Sequence, residues 1–277
     1  MSKRFSLEGH ADSLLPEGRD WKLVWNDEFD GTELDRTKWS FRLNFWGRRF
    51  PAYTDQGVEL DGKSNLLLHL VEQDGRFCSP QLQTGANSFD NPPSNTDNPW
   101  GQREIWPLGP LDPPKFMHRY GYYEIRCKFQ SQPGWWSAFW LQSPSIGTTI
   151  DPAYSGIEVD VMENFTRDGA VTSGNIFGGY GKGFQEDARI HYKVEDTPDG
   201  YHYFGVDWSE KGYVFYCDGR ETARTDRYVS HVEQFILVTT ECQGYRSGDG
   251  QQADPVLKDA VLPDAFTVDF VRVFDAV

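Results

Sequence analysis

From Trp21 onward the chain is cut into short runs of alternating character, each closed by Gly, Asn, Asp or Pro. Leu66-Leu67-Leu68-His69-Leu70, the stretch from Gly121 to Phe129, Gly212 to Cys217 and Phe266 to Val273 are such runs, rich in β-branched or aromatic residues. Period-two alternation bounded by turn formers is the pattern of strands. Long amphipathic helical stretches are scarce. Many short strands without helices between them bury their apolar faces against another sheet, so an all-β sandwich or barrel is expected. At 277 residues the chain can bury a large core without disulfide or metal staples. No internal repeat or low-complexity linker divides it. Residues 1–20 are polar and read as an N-terminal arm, and residues 21–277 as a single domain.

Composition removes several classes of function. With 42 acidic against 27 basic residues the formal charge is −15, which argues against a nucleic-acid partner, whose phosphates need a basic footprint. It argues equally against an anionic membrane surface. No apolar run reaches the length of about 18 residues that a spanning helix needs. Cys78, Cys127, Cys217 and Cys242 lack CxxC spacing and read as free thiols rather than a zinc site or a disulfide framework. The first residues, Met1-Ser2-Lys3-Arg4-Phe5-Ser6-Leu7, carry two bases with no apolar stretch behind them and so do not read as a signal peptide. The compartment stays open: secreted if a leader has been trimmed, cytoplasmic if Met1 is the native start. A monomer is expected.

The stretch with the most chemistry is Gly156-Ile157-Glu158-Val159-Asp160-Val161-Met162-Glu163-Asn164. On a strand, Glu158 and Asp160 share one face while Ile157, Val159 and Val161 share the other. Strict alternation puts Glu163 on the wrong face. One extra residue in a β-bulge, Met162 or Val161, restores the parity and gathers all three carboxylates on one face. Such crowding separates pKa values, as acid–base chemistry requires. Two carboxyls about 5–5.5 Å apart suit a retaining glycosidase, in which one attacks the anomeric carbon and the other protonates the leaving oxygen.

Upstream lies Pro133-Gly134-Trp135-Trp136-Ser137-Ala138-Phe139-Trp140-Leu141. Trp136 and Trp140 share one face of a strand, Trp135 and Phe139 the other. One face can pack the core while the other offers stacking platforms to sugar rings, and Trp135, Trp136 and Trp140 are all taken as candidates for that contact. Two long loops, 42–56 and 85–119, add Trp46 and Trp106 as candidate stacking residues. Arg48 and Arg49, with Arg42 and without a nearby acid in sequence, are candidates to clamp an anionic sugar substituent. Arg103, Lys115, His118 and Arg119 are weaker candidates of the same kind. Glu241 ends an apolar run and is placed to bind a sugar hydroxyl.

Glu158-Val159-Asp160-Val161-Met162-Glu163 resembles the signature of glycoside hydrolase family 16 in its bulged form, as in laminarinases, agarases and porphyranases. Leu23-Val24-Trp25-Asn26-Asp27-Glu28-Phe29-Asp30-Gly31 resembles that family's opening strand, and Ala138-Phe139-Trp140-Leu141 its aromatic cleft strand. Tyr203 to Trp208 and Val214 to Gly219 resemble its paired late strands, and Asp269 to Val273 its closing strand. The resemblance implies a two-sheet jelly roll with an open concave cleft. It implies Glu158 as nucleophile, Asp160 as its electrostatic partner and Glu163 as acid/base, with no cofactor for catalysis. It also implies a structural calcium ion held by Glu28, the Gly62 carbonyl and Asp269. The expected partner is a polysaccharide or oligosaccharide substrate, hydrolysed internally with retention. A β-1,3- or mixed-linkage glucan leads; a galactan (agar, porphyran, carrageenan or a host β-galactan) is the alternative. A non-catalytic glycan-binding protein on the same fold is the rival of a different class. Two departures bear on the substrate: Asn175-Ile176-Phe177-Gly178-Gly179-Tyr180-Gly181 lacks a His that many members carry there, and Ser137-Ala138 stands where many glucanases have Pro-Ala.

Overall fold

The computed structural model describes residues 3–45, 47–90, 105–106, 108–165, 169–245 and 253–277. In chain order, β1 (Lys3–Phe5) and β2 (Ser13–Leu15) form a hairpin and β3 (Trp21–Asp27) follows. The first loop region holds the short strands β4 (Ser40–Phe41), β5 (Asn44–Phe45), β6 (Arg48–Arg49) and β7 (Tyr53–Thr54). Next come β8 (Val58–Leu60), β9 (Leu66–His69), β10 (Val71–Gln73), β11 (Arg76–Gln83), β12 (Gly121–Lys128), β13 (Trp135–Gln142) and β14 (Glu158–Asn164). The remainder are β15 (Ala170–Phe177), β16 (Gln185–Lys193), β17 (His202–Ser209), β18 (Gly212–Cys217), β19 (Arg220–Thr225), β20 (Phe235–Cys242) and β21 (Ala265–Ala276).

Two large sheets result. The front sheet runs β10-β11-β20-β13-β14-β15-β16, with β4 and β7 against β11. The back sheet runs β19-β18-β17-β12-β21-β9-β8, with β3 also on β21. Alternation decides what lies between them. Phe139, Leu141, Val159 and Val238 of the front sheet meet Ile125, Phe204, Val206 and Val271 of the back sheet in one buried core. The late strands β17 and β18 pair from Phe204 opposite Cys217 to Ser209 opposite Gly212, and the opening strand β3 pairs with the closing strand β21.

Behind the back sheet, the β1–β2 hairpin is stitched down by a polar network. Arg272 is fully buried. Its Nε and Nη2 donate to the two oxygens of Glu28 at 2.8 and 2.7 Å, and its Nη1 donates to the Ala11 carbonyl and the Ser13 hydroxyl, both at 2.9 Å. The Leu14 N–H donates to Glu124 Oε1 at 2.9 Å, and the Phe5 ring meets Phe274 edge-on at 5.1 Å. A fork of donors on a planar carboxylate is a strong, geometrically specific contact.

Glu124 is fully buried, and that burial pushes its carboxyl up from 4.5 to about 7 despite the donors around it. The folded state therefore binds a proton more tightly than the unfolded chain. Its contribution is fully present at acid pH and is lost as pH rises from about 4.5 through about 7. Glu124→Gln keeps the shape without the charge. Urea unfolding across that interval should show a shallower loss of stability for the variant than for the parent chain; equal slopes would show that Glu124 titrates as it does when unfolded.

Candidate active site

The strand that carries the three acids is bulged where the sequence requires it. Opposite β13, Phe139 faces Met162 and Trp140 faces Asp160, so Val161 has no counterpart. Opposite β15, Asp160 faces Gly174 and Glu163 faces Thr172, leaving Val161 and Met162 together against Ser173. Both apolar side chains stay in the core between the sheets. Glu158, Asp160 and Glu163 emerge on the opposite face, where all three line one cleft.

Each acid meets different neighbours. Glu158 is half-buried; its Oε2 accepts from Gln142 Nε2 at 3.0 Å and from the Tyr180 hydroxyl. Gln142 is itself held by Asn87, which donates to its Oε1 at 2.8 Å. Asp160 is buried and accepts from Arg189 Nη1 at 2.6 Å. Burial, then the charges of Glu163 and Glu158, push its carboxyl well above the ordinary range. Glu163 accepts from the Trp136 indole N–H at 3.1 Å, and its Oε2 lies 3.1 Å from Arg189 Nη2. Burial is again the main cause that brings Glu163 to about 7; Arg189 opposes it, and the charge of Glu158 reinforces it.

The walls around these acids sort the remaining candidates. Trp136, Trp140 and Glu241 line the cleft. Trp140 donates from its indole N–H to Thr239 at 3.0 Å, and Trp136 stacks on Phe165 at 4.9 Å. Trp135 is a correction: strand parity turns it away, fully buried, into a small second core with Leu70 and Leu257. Trp106 is another. It is buried against Phe89 at 4.3 Å and near Tyr180 at 5.9 Å, so it buttresses the cleft wall from behind. Trp46 and Arg103 lie outside the described residues.

The arginine expectation also changes. Arg48 and Arg49 are exposed on β6 and do not line the cleft among its described residues. Arg49 Nη1 instead ties down its own loop through the carbonyls of Leu43, Phe50 and Tyr53. Arg42 does reach the cleft. It is buried there, and its Nε contacts Asp90 Oδ2 at 2.6 Å, an acid 48 residues away in sequence. Lys115, His118 and Arg119 are occupied by the Arg36 carbonyl, Asp275 and the His231 carbonyl.

Sequence reasoning missed Arg189, Tyr180, Gln142 and the Arg42–Asp90 pair. Arg189 comes from β16, two strands from β14. It sits where the β15–β16 register shifts, opposite Gly174. A Cβ at Gly174 would lie 2.6 Å from Arg189 Cδ, so only a glycine lets this side chain cross β15. A lone glycine in a strand marks such a close approach, and that is the one trace of the contact in the sequence.

The expected calcium ligands do not fit a metal. Glu28 already faces the Arg272 guanidinium with both oxygens, and Asp269 accepts from Arg126 Nη1 at 2.6 Å. A fixed cation at each carboxylate leaves a dication opposed by like charge. Gly62 sits in a left-handed turn at φ 69°, and no cluster of three or more His, Cys, Asp or Glu suited to a metal occurs among the described residues. Thermal unfolding should therefore be unmoved by EDTA or added calcium. Arg272→Met should cost about 3–5 kcal/mol in urea unfolding, because it strands buried Glu28; a midpoint raised by calcium would return the site to the metal.

The profile of the glycosyl hydrolases family 16 matches residues 109–241, which include all of β14. The glucan endo-1,3-β-glucosidase A1 of Niallia circulans is 29% identical over 269 residues, covering 91% of this chain but 37% of that protein, so the chain spans well under half its length. The β-porphyranase B of Phocaeicola plebeius is 24% identical, covering 99% of this chain and 92% of that protein. The catalytic domain of an endo-1,3-β-glucanase (laminarinase) from Thermotoga petrophila superposes with a TM-score of 0.64 at 20% identity, covering 94% of this chain and 99% of the other. That likeness is one of fold, the two-sheet jelly roll. The match to the glycosyl hydrolases family 16 thus runs from residue 109 to Glu241, which lines the cleft, and likeness to glucanases and a porphyranase extends along nearly the whole chain.

Proposed function

We propose that this chain is an endo-acting, retaining β-glycosidase whose leading substrate is a β-1,3- or mixed-linkage glucan. One observation carries the proposal: Glu158, Asp160 and Glu163 share the cleft face of one bulged strand, each with its own set of neighbours. Glu158 is the nucleophile. Gln142 and Tyr180 orient its carboxylate toward the anomeric carbon. Glu163, raised to about 7, keeps a large protonated fraction near neutral pH and is mostly protonated below it, and it protonates the leaving oxygen. As Glu158 becomes esterified its charge disappears, the repulsion on Glu163 weakens, and Glu163 can take a proton from the incoming water. Asp160, its carboxyl raised by burial and by both glutamates, keeps the space between them from holding three full negative charges.

The substrate follows from the walls. Trp136 and Trp140 offer aromatic faces to sugar rings, while Gln142, Thr239 and Glu241 offer polar atoms to hydroxyls. The cleft cation Arg42 faces Asp90, which neutralises it locally, and the −15 chain repels a sulfated polymer at long range. Both favour a neutral glucan. The likeness to β-porphyranase B across 99% of the chain keeps a galactan as the second reading. Reducing-end release from laminarin, mixed-linkage glucan, agar and porphyran tests the order.

Two outcomes test the mechanism. Glu158→Gln should lower kcat by at least about a thousandfold while oligosaccharide binding by calorimetry persists; near-parental turnover would falsify the assignment. NMR should show the β-anomer as first product, and kcat/KM should fall above about pH 7 as Glu163 ionises. Glu163→Ala should spare activated aryl glycosides far more than polymer, since a good leaving group needs little protonation. An α-anomer appearing first would replace the double displacement with direct attack by water.

A further inference from the structure

Arg189 has no part in bond cleavage as described above, yet the strands are shaped to deliver it. Ala188, at φ 52°, and Arg189 bulge from β16 opposite Gly174, and Gly174 in turn lies opposite Asp160. Through that gap the guanidinium reaches Asp160 Oδ2 at 2.6 Å and Glu163 Oε2 at 3.1 Å, with Nε 3.4 Å from Glu186. Around Glu163 stand Glu158 and Asp160 on its own strand, Trp136 on β13, and Thr172 on β15 with His191 of β16 bonded to it. Glu241 of β20 pairs opposite Trp136, and Glu186 and Arg189 complete the set on β16. Arg189 supplies the guanidinium in an acid-rich group.

The two half-reactions ask opposite things of Glu163. The first needs it protonated, and a nearby cation opposes that. The second needs it ionised, and the same cation favours that. At the second step Glu158 is esterified and carries no charge, so the attraction between Glu163 and Arg189 is left with one less competing anion. We propose that Arg189 is a positioning residue for the second half-reaction, holding the Glu163 carboxylate ionised and aimed at the attacking water. The inference rests on the roles proposed above for Glu158 and Glu163. In this step the water oxygen bonds to the anomeric carbon, and the bond from that carbon to the Glu158 oxygen breaks. Its electron pair returns to the Glu158 carboxylate, and the water proton passes to Glu163.

The test uses the full chain and a dinitrophenyl β-oligoglucoside, whose release needs no acid. Arg189→Met should release about one equivalent of dinitrophenolate in a fast first turnover at the parental rate, then slow about ten- to a hundredfold. KM should fall with kcat, because the glycosyl-enzyme accumulates. Azide, a nucleophile that needs no base, should restore turnover and yield the β-glycosyl azide. The basic limb of kcat/KM on polymer should move to higher pH, and Arg189→Lys should recover much of the loss. Arg189→Gln is read in the same way if the Met variant does not fold. A first turnover slowed as much as kcat, with no burst and no azide rescue, would overturn the proposal. Two controls isolate the underlying reading: the parent must release dinitrophenolate, and Glu158→Gln must not. If either control fails, the hydrolase assignment has failed; if both hold and no burst is seen, only the role of Arg189 has.

Discussion

One residue beyond strict alternation in β14 is what the cleft depends on. Without the bulge at Val161–Met162, Glu163 would face the core between the sheets, and an unpaired carboxylate in that core is not tolerable. With it, two apolar side chains enter the core in succession and three acids gather on the cleft side. The bulge thus solves a packing problem and sets a chemical one. Carboxyls this close, buried to this degree, cannot all ionise. The neighbouring strands answer with particular groups: Gln142 and Trp136 from β13, Arg189 from β16, and Tyr180 from the turn between β15 and β16.

The same physics recurs behind the back sheet. There Arg272 is wholly enclosed and satisfied by Glu28, the Ala11 carbonyl and Ser13. Arg189 differs in being partly exposed and shared between Asp160 and Glu163, acids whose charge alters in the proposed reaction. A guanidinium with fixed partners is scaffolding. One whose partners gain and lose protons couples its field to the chemistry, which is why burial alone does not distinguish the two.

What could be read from the sequence was what depends on neighbours in the chain. Side-chain parity follows from local backbone geometry, so the shared face of Glu158, Asp160 and Glu163 and the opposed faces of Trp135 and Trp136 were both legible. The error over Trp135 lay in allowing both faces a share of the cleft. Pairings across sequence were not legible. Arg42 looked unpartnered because Asp90 is distant in the chain, and Arg48 and Arg49 looked like binding residues because nothing local showed Arg49 holding its loop together. Glu28 and Asp269 looked like hard oxygen ligands because the guanidiniums opposite them come from other strands. Trp106 shows the complementary limit: an aromatic on a long loop is a good contact candidate, yet here the loop folds back and buries it.

The place of β21 in the back sheet has a consequence for how the chain is made. It pairs with β12 along one edge and with β9 and β3 along the other. Before it exists, the back sheet is two separate fragments, β12 with β17, β18 and β19, and β9 with β8, while β3 waits for a partner. Each fragment presents unpaired backbone along the edge that β21 will fill, and such edges invite pairing with other chains. Arg272, the anchor of the amino-terminal hairpin, also belongs to β21. A ribosome must therefore deliver residue 276 before the sandwich can close. Until then the nascent sandwich is an open, aggregation-prone intermediate, a stage at which chaperone holding matters more than any later gain in native stability.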